Sequence, residues 1–458
     1  METTEVRAMS ARAIEAVKSI LIALLAASAL VLGSHAAIFG GEGESVPLLA
    51  VFSGVFRDGW TADGAAGASV RTAAAERPSC IVITNEYGER YGAKYDAAQL
   101  ELMYDRTGSV FGEAFGSASD FGETGEAEWR DALVLPCIYY AYPESVDVKM
   151  LGVWFGANPS AGEPTDGLKT RRLCVVFSGE RVRLLFQESR TGAFYGADTD
   201  SLGEESQAVG LYGGNGVRFA FETDGGYSGD PYVVLMPDAA HPVVEAANPA
   251  ADVERLGEAL SGLGVGNQPQ SSYTETDGTM VFVTSTFKLS IDTSGDAVYR
   301  RTAPVARAAG VAAPDTRPVD AAVAAARAAV FNTIGKTCGD AGIFLTGVLE
   351  EEPGVYTVSF AYSVAGGRVY LRGGRSAARV TVSGGEATNM ELTFRRYAVT
   401  GAAVTLLPEQ LALAAAGGEF ALAYSDAEGS ELVPEWIRVD AAAPVAPAAA
   451  VKSETGAV

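Results

Sequence analysis

The stretch "YTVSFAYSVAGGRVYL", residues 356–371, contains the clearest secondary-structure pattern in this 458-residue chain. Large apolar side chains recur there at every second position, which places them on one face of a strand: Tyr356, Val358, Phe360 and Tyr362. Farther along, apolar side chains again alternate with polar ones, with Met390, Leu392 and Phe394 set against Glu391, Thr393 and Arg395. Alternation of this kind is typical of antiparallel strands with one face on a core. The sequence therefore predicts a C-terminal antiparallel sheet.

The same alternation occurs earlier in the chain, where Val182, Leu184 and Phe186 alternate with Arg181 and Arg183. Further strands are predicted at "VRFAFE" (217–222), "YVVLM" (232–236) and "TMVFVTSTFKLSI" (279–291). Helix signals are fewer, and the best marked helix begins after Pro318 and stops at Gly335. The predicted fold class is α+β, with an N-terminal transmembrane helix followed by two or three units of antiparallel sheet packed with a few helices.

The chain is about three times the usual length of a domain, so several packed units are expected. Changes in composition predict the following organisation: a cytoplasmic N-terminus (1–18), a transmembrane helix (19–39), a juxtamembrane spacer (40–77), a first α+β unit (78–156), a β-rich unit (169–249), one or more C-terminal α+β units (250–440) and a disordered tail (441–458).

The transmembrane helix is predicted from "SILIALLAASALVLGSHAAIF", residues 19–39, which carries no formal charge and is long enough to span a bilayer. Arg7, Arg12 and Lys18 precede it, and the first basic residue after it is Arg57. Because positive charge is retained on the cytoplasmic side, the N-terminus is expected inside and the large C-terminal part outside. We expect a single-pass protein of the cell membrane with an extracytoplasmic body.

Two further interpretations concern this hydrophobic segment. Ser34 and Ala36 supply small residues at the spacing of a signal-peptidase site, so cleavage is the alternative to anchoring. Small residues also recur on one helical face and predict a packing surface for a partner helix in the membrane: Ala26, Ala29, Gly33 and Ala37. The alternative for this face is that alanine is simply common in the segment.

Composition restricts the classes of function. A net charge of −23, with no cluster of Lys or Arg, argues against nucleic acid as a partner. Four widely spaced cysteines form no metal-binding or redox pair, and their disulfide state is left open: Cys80, Cys137, Cys174 and Cys338. The two histidines, His35 in the hydrophobic segment and His241 beside a proline, leave little scope for histidine-based catalysis. His241 is predicted to be a surface residue in a turn.

Three short patterns resemble catalytic or ligand-binding motifs. Ser285 and Lys288 form S-x-x-K, but an alternating strand would send the two side chains to opposite faces. "GKT" at 335–337 resembles the end of a phosphate loop, yet Val330 stands where the first glycine is required, so the end of a helix is favoured. Carboxylates at Asp198, Asp200, Glu204 and Glu205 resemble a calcium loop, but a solvated acidic loop is favoured.

Glu350, Glu351 and Glu352 precede "PG" and are interpreted as a charged turn. No feature of the sequence selects a pair of catalytic carboxylates. The sequence therefore predicts no catalytic, cofactor-binding or metal-binding residue, and no enzyme activity.

Several stretches together resemble the YycH/YycI-type regulatory proteins. The N-terminal "IEAVKSILIALLAASALVL" is similar to the anchor of that family, and "WRDALVLPCIYYAYPESVDVKMLGVWFG" is similar to the stretch that closes its first domain. The opening stretch with "ARVTVSGGEATNMELTFRRYAVTG", "LLPEQLALAA" and "FALAYSDAEGSELVPEWIRVD" resembles its C-terminal sheet and helix. The unusual richness in Ala, Gly and acidic residues departs from the family.

The resemblance implies a membrane-anchored accessory regulator of an essential two-component sensor histidine kinase, with the kinase and related membrane regulators as partners. It brings no catalytic residues. Two other hypotheses stay open from the residues themselves: a cell-envelope binding or scaffold protein without a kinase partner, and an exported hydrolase that uses unassigned carboxylates.

Overall fold

A computed structural model describes residues 76–157, 165–179, 181–200, 209–210, 212–223, 230–237, 240–251, 256–257, 260, 263, 265, 271–303, 317–416, 420–427 and 430–439. The predicted transmembrane helix 19–39, most of the spacer 40–77 and the tail 441–458 lie outside these residues. No helix within the described ranges is long and apolar enough to cross a bilayer.

The N-terminal part forms a seven-stranded antiparallel sheet in the order β2-β1-β4-β5-β6-β7-β3. Its strands are β1 (Cys80–Thr84), β2 (Arg90–Ala93), β3 (Ser119–Thr124), β4 (Cys137–Asp147), β5 (Lys169–Ser178), β6 (Arg181–Glu188) and β7 (Phe194–Thr199). Three helices accompany it: α1 (Ala97–Ser117), α2 (Glu126–Ala132) and α3 (Val148–Trp154). Helices and loops pack on both faces of this sheet.

Strand β4 shows why both faces are covered, since neighbouring side chains on it enter different cores. Tyr140 packs against Phe111 of α1, with ring centroids 4.2 Å apart. Tyr139 points the other way and meets Trp129 of α2 at 6.3 Å. Helix α1 begins where Asp96 accepts hydrogen bonds from two backbone N–H groups of the first turn, as an N-cap does.

The C-terminal part forms an eleven-stranded sheet in the order β11-β12-β13-β14-β19-β18-β16-β17-β21-β23, with β15 on the other edge of β16. Its strands are β11 (Ser271–Thr274), β12 (Met280–Val283), β13 (Phe287–Ile291), β14 (Asp296–Arg301), β15 (Gly342–Glu352), β16 (Val355–Val364), β17 (Gly367–Leu371), β18 (Ala378–Ser383), β19 (Glu386–Thr393), β21 (Phe420–Asp426) and β23 (Glu435–Arg438). Helix α4 (Pro318–Asn332) packs on β16, β18 and β19.

Two small sheets complete the described fold. One has the order β20-β10-β22, with β10 (Ala240–Ala247), β20 (Arg396–Thr405) and β22 (Glu431–Leu432). The other pairs β8 (Arg218–Phe219) with β9 (Val234–Leu235). A short helix, α5 (Glu409–Ala416), follows β20.

The structure confirms the predicted α+β class with largely antiparallel sheets and few helices. The opening stretch forms β16 and β17, and the side chains predicted to share a face are all buried: Tyr356, Val358, Phe360 and Tyr362. The predicted helix after Pro318 is α4, in which this proline takes an N-terminal position where its missing N–H costs nothing.

One sheet crosses the boundary predicted between the units 78–156 and 169–249. Strand β4 pairs with β5 along most of its length, so the segment at 157–168 joins two neighbouring strands of the same sheet. The division of the chain into separate units stays a prediction.

Three predicted strands are wrong in extent. The segment 279–291 is a hairpin rather than one strand, because the Thr284 hydroxyl accepts hydrogen bonds from the backbone N–H groups of Thr286 and Phe287 and closes a turn. The segments 217–222 and 232–236 each keep only two strand residues, and the first continues as a 3-10 turn.

Candidate functional site

A buried ion pair fixes the chain where it enters the described body. Glu76 lies against Arg327 of α4, and both side chains are more than nine-tenths buried. Oε2 of Glu76 also accepts a hydrogen bond of 2.9 Å from the backbone N–H of Leu345 in β15. Because removing one partner leaves the other charge buried and uncompensated, such a pair holds its elements firmly together. The segment is thereby attached to the C-terminal sheet.

The next residue, Arg77, joins the same segment to helix α1. Its guanidinium lies over the ring of Tyr104, 3.9 Å from the centroid, which is a cation–π contact. Its Nη2 donates to Glu101 at 3.0 Å, whereas Nη1 is buried with no hydrogen-bond partner among the described residues. Two consecutive residues therefore connect the entry segment to α4 and β15 on one side and to α1 on the other.

Between the two sheets lies a cavity of about 510 Å³, which we name the inter-sheet crevice. It is lined by strand ends of the seven-stranded sheet and by α4, β15, β17 and β21. Its aromatic residues are Tyr95, Tyr104, Tyr139, Tyr142, Tyr232, Phe331, Phe344, Tyr370 and Phe420. Its cationic residues are Arg77, Lys94, Arg171, Arg172, Arg327 and Arg368, and its carboxylates are Glu76, Glu101, Glu144 and Asp340. Its volume falls within the range of cavities that hold small molecules.

Five of the six cationic side chains that line the inter-sheet crevice form ion pairs with carboxylates. Two of these carboxylates come from just outside the lining, since Glu409 pairs with Lys94 and Asp230 pairs with Arg172. One ion pair joins the two large sheets, since Arg368 of β17 pairs with Glu144 of β4 at 2.6 Å.

Tyr142 lies in this lining with an unsatisfied hydroxyl. The residue is 2% exposed, and within the described part of the chain its hydroxyl has no hydrogen-bond partner. Burial raises its pKa well above the ordinary value, so the hydroxyl keeps its proton and remains a donor. Tyr140 on the same face contrasts with it, because its hydroxyl shares a hydrogen bond of 2.6 Å with Thr107. An unsatisfied buried polar group costs about 1–3 kcal/mol.

One end of the inter-sheet crevice is closed by a tight contact at Gly366, in the turn between β16 and β17. Its φ is +75°, and a Cβ there would meet the carbonyl oxygen of Lys94 at 2.7 Å and Cα of Tyr95 at 2.7 Å. Both the backbone conformation and the space therefore require glycine. This contact sets how closely the two sheets approach at the end of β2.

A second set of polar contacts surrounds Glu409, the first residue of α5. Lys94 forms an ion pair of 2.5 Å with it. The hydroxyl of Tyr95 donates a hydrogen bond to the Glu409 carboxylate, and the backbone N–H of Met236 donates another at 2.7 Å. Desolvation is the largest single influence on the Lys94 ammonium and lowers its pKa, but the attractions of Glu409, Tyr95 and Cys80 together outweigh it, so the pKa is raised. Lys94 is therefore charged, and the cluster attaches α5 to the seven-stranded sheet.

The prediction that His241 is a surface residue in a turn is wrong. It lies in β10 with 4% exposure, and its ring meets Tyr95 and Trp436 edge to face at 4.8 and 5.6 Å. Pro242 does not end the strand, because the pairing of β10 with β20 shifts register between Pro242 and Val244, where the missing N–H is tolerated. Burial lowers the pKa of His241.

The other residues considered in the sequence are scattered rather than brought together. The predicted helix face of Ala26, Ala29, Gly33 and Ala37 and the histidine at 35 lie outside the described residues, as do Glu204 and Glu205. Asp198 of β7 pairs with Arg183 of β6 at 2.9 Å, and the same arginine also pairs with Glu128 of α2. Among the described residues, no group of His, Cys, Asp and Glu could hold a metal ion.

The remaining motif residues have local structural roles. Lys288 lies in β13, with Ser285 in the turn before it. Lys336 lies in a 3-10 turn after the end of α4, as favoured over a phosphate loop. The acidic run 350–352 ends β15 rather than forming a turn, because Glu350 and Glu352 keep partners on β16. All four cysteines are buried free thiols.

Sequence reasoning missed Glu76, Arg327 and Tyr142. The two charged residues are 251 positions apart, so no local pattern connects them. Tyr142 belongs to an alternating run, which indicates that it is buried but not that its hydroxyl lacks a partner.

No protein-family model matches the sequence, and no curated protein does. Among solved structures, the chain is similar to YycH from Bacillus subtilis, with a TM-score of 0.49 and 9% sequence identity. The match covers 80% of this chain and 94% of the YycH chain. A likeness of this degree concerns the fold and carries no statement about what the chain binds.

Proposed function

We propose that the chain is a membrane-anchored, non-enzymatic regulator of a two-component histidine kinase. Its hydrophobic segment 19–39 packs against membrane helices of the kinase, and its extracytoplasmic body sets the position of that segment. The proposal is supported by the uncharged run with basic residues on its N-terminal side, and by the sequence resemblance to YycH/YycI-type regulators.

The observation that carries the mechanism is the attachment of the entry segment at Glu76 and Arg77. A regulator that acts through its membrane helix needs a firm connection between that helix and the body that responds. The ion pair of Glu76 with Arg327 and the stacking of Arg77 on Tyr104 support the part of this requirement that concerns the body, because they fix residues 76 and 77 to it.

The test replaces residues 19–39 with an unrelated hydrophobic helix of equal length in cells that carry a kinase-dependent reporter. We expect the reporter output to change and a histidine kinase to stop co-purifying with the chain. A finer variant carries Ala29→Leu and Gly33→Leu, which enlarge the face of small residues. The matched control, Ser28→Leu, changes the opposite face of the predicted helix. Unchanged output and unchanged co-purification after the full replacement would refute the proposal.

The inter-sheet crevice favours a second candidate, a cell-envelope binding or scaffold protein with the same topology and no kinase partner. Crosslinking in whole cells separates the two. Recovery of a histidine kinase supports regulation, and recovery of wall components alone supports scaffolding.

A further inference from the structure

We propose that the C-terminal tail of this chain docks in the inter-sheet crevice through the stretch "PVAP", residues 444–447, and covers the crevice against other ligands. This inference does not depend on the proposed regulation of a kinase.

The first step is the place where the chain leaves the described body. Strand β23 is antiparallel to β21, and Arg438 at its end lies opposite Phe420 at the start of β21. Phe420 and the residue after β23, Val439, both line the inter-sheet crevice. Four residues separate Val439 from Pro444. Because an extended stretch of that length spans up to about 14 Å, Pro444 can reach the inside of the crevice.

The second step is the charge of the occupant. Five of the six cationic side chains in the lining are paired with carboxylates, and the sixth, Arg171, also has an interaction partner. An anionic ligand would have to compete with these partners, whereas an uncharged one leaves every ion pair in place. The tail meets this condition, because residues 441–451 consist only of Ala, Pro and Val.

The third step is the surface that the tail would contact. Four apolar or aromatic side chains of the lining keep part of their surface accessible to solvent: Leu100, Phe331, Tyr370 and Phe420. They come from α1, α4, β17 and β21, so they belong to both sides of the crevice. Phe331 is 42% exposed, although its ring is apolar. An apolar segment that covers these side chains removes their surface from water, which is favourable.

The fourth step is the form of the segment. Pro444 and Pro447 occupy its first and last positions, which is the P-x-x-P spacing. Proline fixes its own φ at about −65° and favours the polyproline II conformation, which has no internal hydrogen bonds. Such segments bind grooves lined by aromatic rings and lose little conformational entropy when they bind. The composition of the tail, which predicts no core of its own, is compatible with docking because the segment packs on rings of the body.

The experiment compares the full-length chain with a variant that ends at Asp440, both in detergent. A synthetic peptide of residues 440–452 is titrated into each chain by calorimetry. We expect one peptide to bind per shortened chain, and affinity for the full-length chain to be at least about tenfold weaker, because the attached tail competes at a high effective concentration. Absence of binding to the shortened chain, or equal affinity for the two chains, would overturn the proposal.

Two variants test where and how the peptide binds. In the shortened chain, Phe331→Ala removes an accessible ring of the lining and should weaken binding about fivefold. The matched control is Tyr273→Ala, which removes a ring of β11 that is 50% exposed and lies outside the lining, and it should leave affinity unchanged. Equal affinity in these two variants would place the peptide on another surface and refute docking in the crevice.

The peptide itself supplies a test that leaves the protein unaltered. A peptide with Pro444→Ala and Pro447→Ala keeps the apolar composition but loses the fixed φ angles, so it should bind the shortened chain about fivefold more weakly. Unchanged affinity would refute the role of the two prolines.

A competing occupant is the apolar stretch 46–60 on the N-terminal side of the body, since residues 76–79 also line the crevice. A peptide of this stretch is titrated into the same shortened chain. If it binds and Phe331→Ala weakens it, while the tail peptide does not bind, the crevice belongs to that stretch and the proposal is wrong.

Discussion

Glu76 and Arg327 make the clearest prediction at the scale of single residues. Arg327→Met removes the cation and leaves the Glu76 carboxylate buried without its partner, so we expect the free energy of unfolding to fall by about 3–5 kcal/mol. Denaturant titration measures the change.

The matched control for this variant is Arg379→Met. Arg379 pairs with Glu391 at 3.8 Å, but both side chains are 56% exposed, so its loss should change the free energy of unfolding by no more than about 0.5 kcal/mol. Equal effects from the two variants would mean that Glu76 keeps its carboxylate hydrated in solution and that the entry segment is not fixed.

His241 predicts a pH dependence. Burial lowers its pKa in the folded chain, whereas the unfolded value is about 6.5, so between the two values the unfolded chain binds more protons. The contribution to stability is therefore complete above about pH 6.5 and is lost as the pH falls through the folded value. Denaturant titrations at pH 7.5 and pH 5.5 measure this loss.

The comparison for His241 is His241→Phe, which keeps a ring against Tyr95 and Trp436 but cannot take up a proton. We expect the variant to lose less stability than the parent chain between the two pH values. An equal loss of stability in the two proteins would mean that a group other than His241 takes up the proton.

For single residues, the sequence predicted which side chains are buried but not which groups they contact. The alternation that predicts a buried face for Tyr356 and Phe360 is local, and the structure confirms it. The position of His241 was misjudged because a proline is usually a sign of a turn, whereas here a register shift accommodates it. Whether the Tyr142 hydroxyl finds a hydrogen-bond partner depends on residues that are distant in sequence, so no local pattern reports it.

Two hairpin turns give a prediction at the scale of elements. Gly366 joins β16 to β17 and Gly354 joins β15 to β16, and both have a φ near +80°. A Cβ on Gly354 meets nothing within 4 Å, but one on Gly366 would collide with the backbone of Lys94 and Tyr95. Gly354→Ala should therefore cost about 1–2 kcal/mol for backbone strain alone.

Gly366→Ala carries the same strain and also forces the turn away from β2. Overpacking of this kind adds about 1–3 kcal/mol, so we expect it to be the more destabilising of the two in denaturant titration. Equal losses would show that the two sheets separate there at no cost.

Elements with local causes were predictable from the sequence. Helix α4 has its proline at the start, and the β1–β2 hairpin has its turn residues between apolar strands. The β12–β13 hairpin was missed because its turn depends on the hydroxyl of Thr284 rather than on glycine or proline. The parallel pairing of β17 with β21 has no local signal, since about fifty residues separate the strands.

The topology of the whole molecule is tested by protease added to intact spheroplasts. If the segment 19–39 spans the membrane, the body should be digested from outside, while a tag at the N-terminus stays protected until the membrane is lysed. Recovery of the intact chain in the soluble fraction, or digestion of the N-terminal tag from outside, would contradict this topology.

At the scale of the whole molecule the sequence predicted the class of fold but not the site. The crevice exists only because strands far apart in the chain end at the same place, and the ion pairs in its lining join residues that are distant in sequence. The net charge is the sum over all charged residues, whereas the charged lining of a cleft depends on which of those residues the fold brings together.

The attachment of Glu76 also has a mechanical consequence. A pull on the chain from its N-terminal side loads the contacts of Glu76 with Arg327 and Leu345 before it reaches β1. Strand β1 lies between β2 and β4 and is bonded to both, so tension along it would have to shear two rows of hydrogen bonds at once. Under stretching, the contacts of Glu76 with α4 and β15 are therefore loaded before the hydrogen bonds of the seven-stranded sheet, and they shield that sheet as long as they hold.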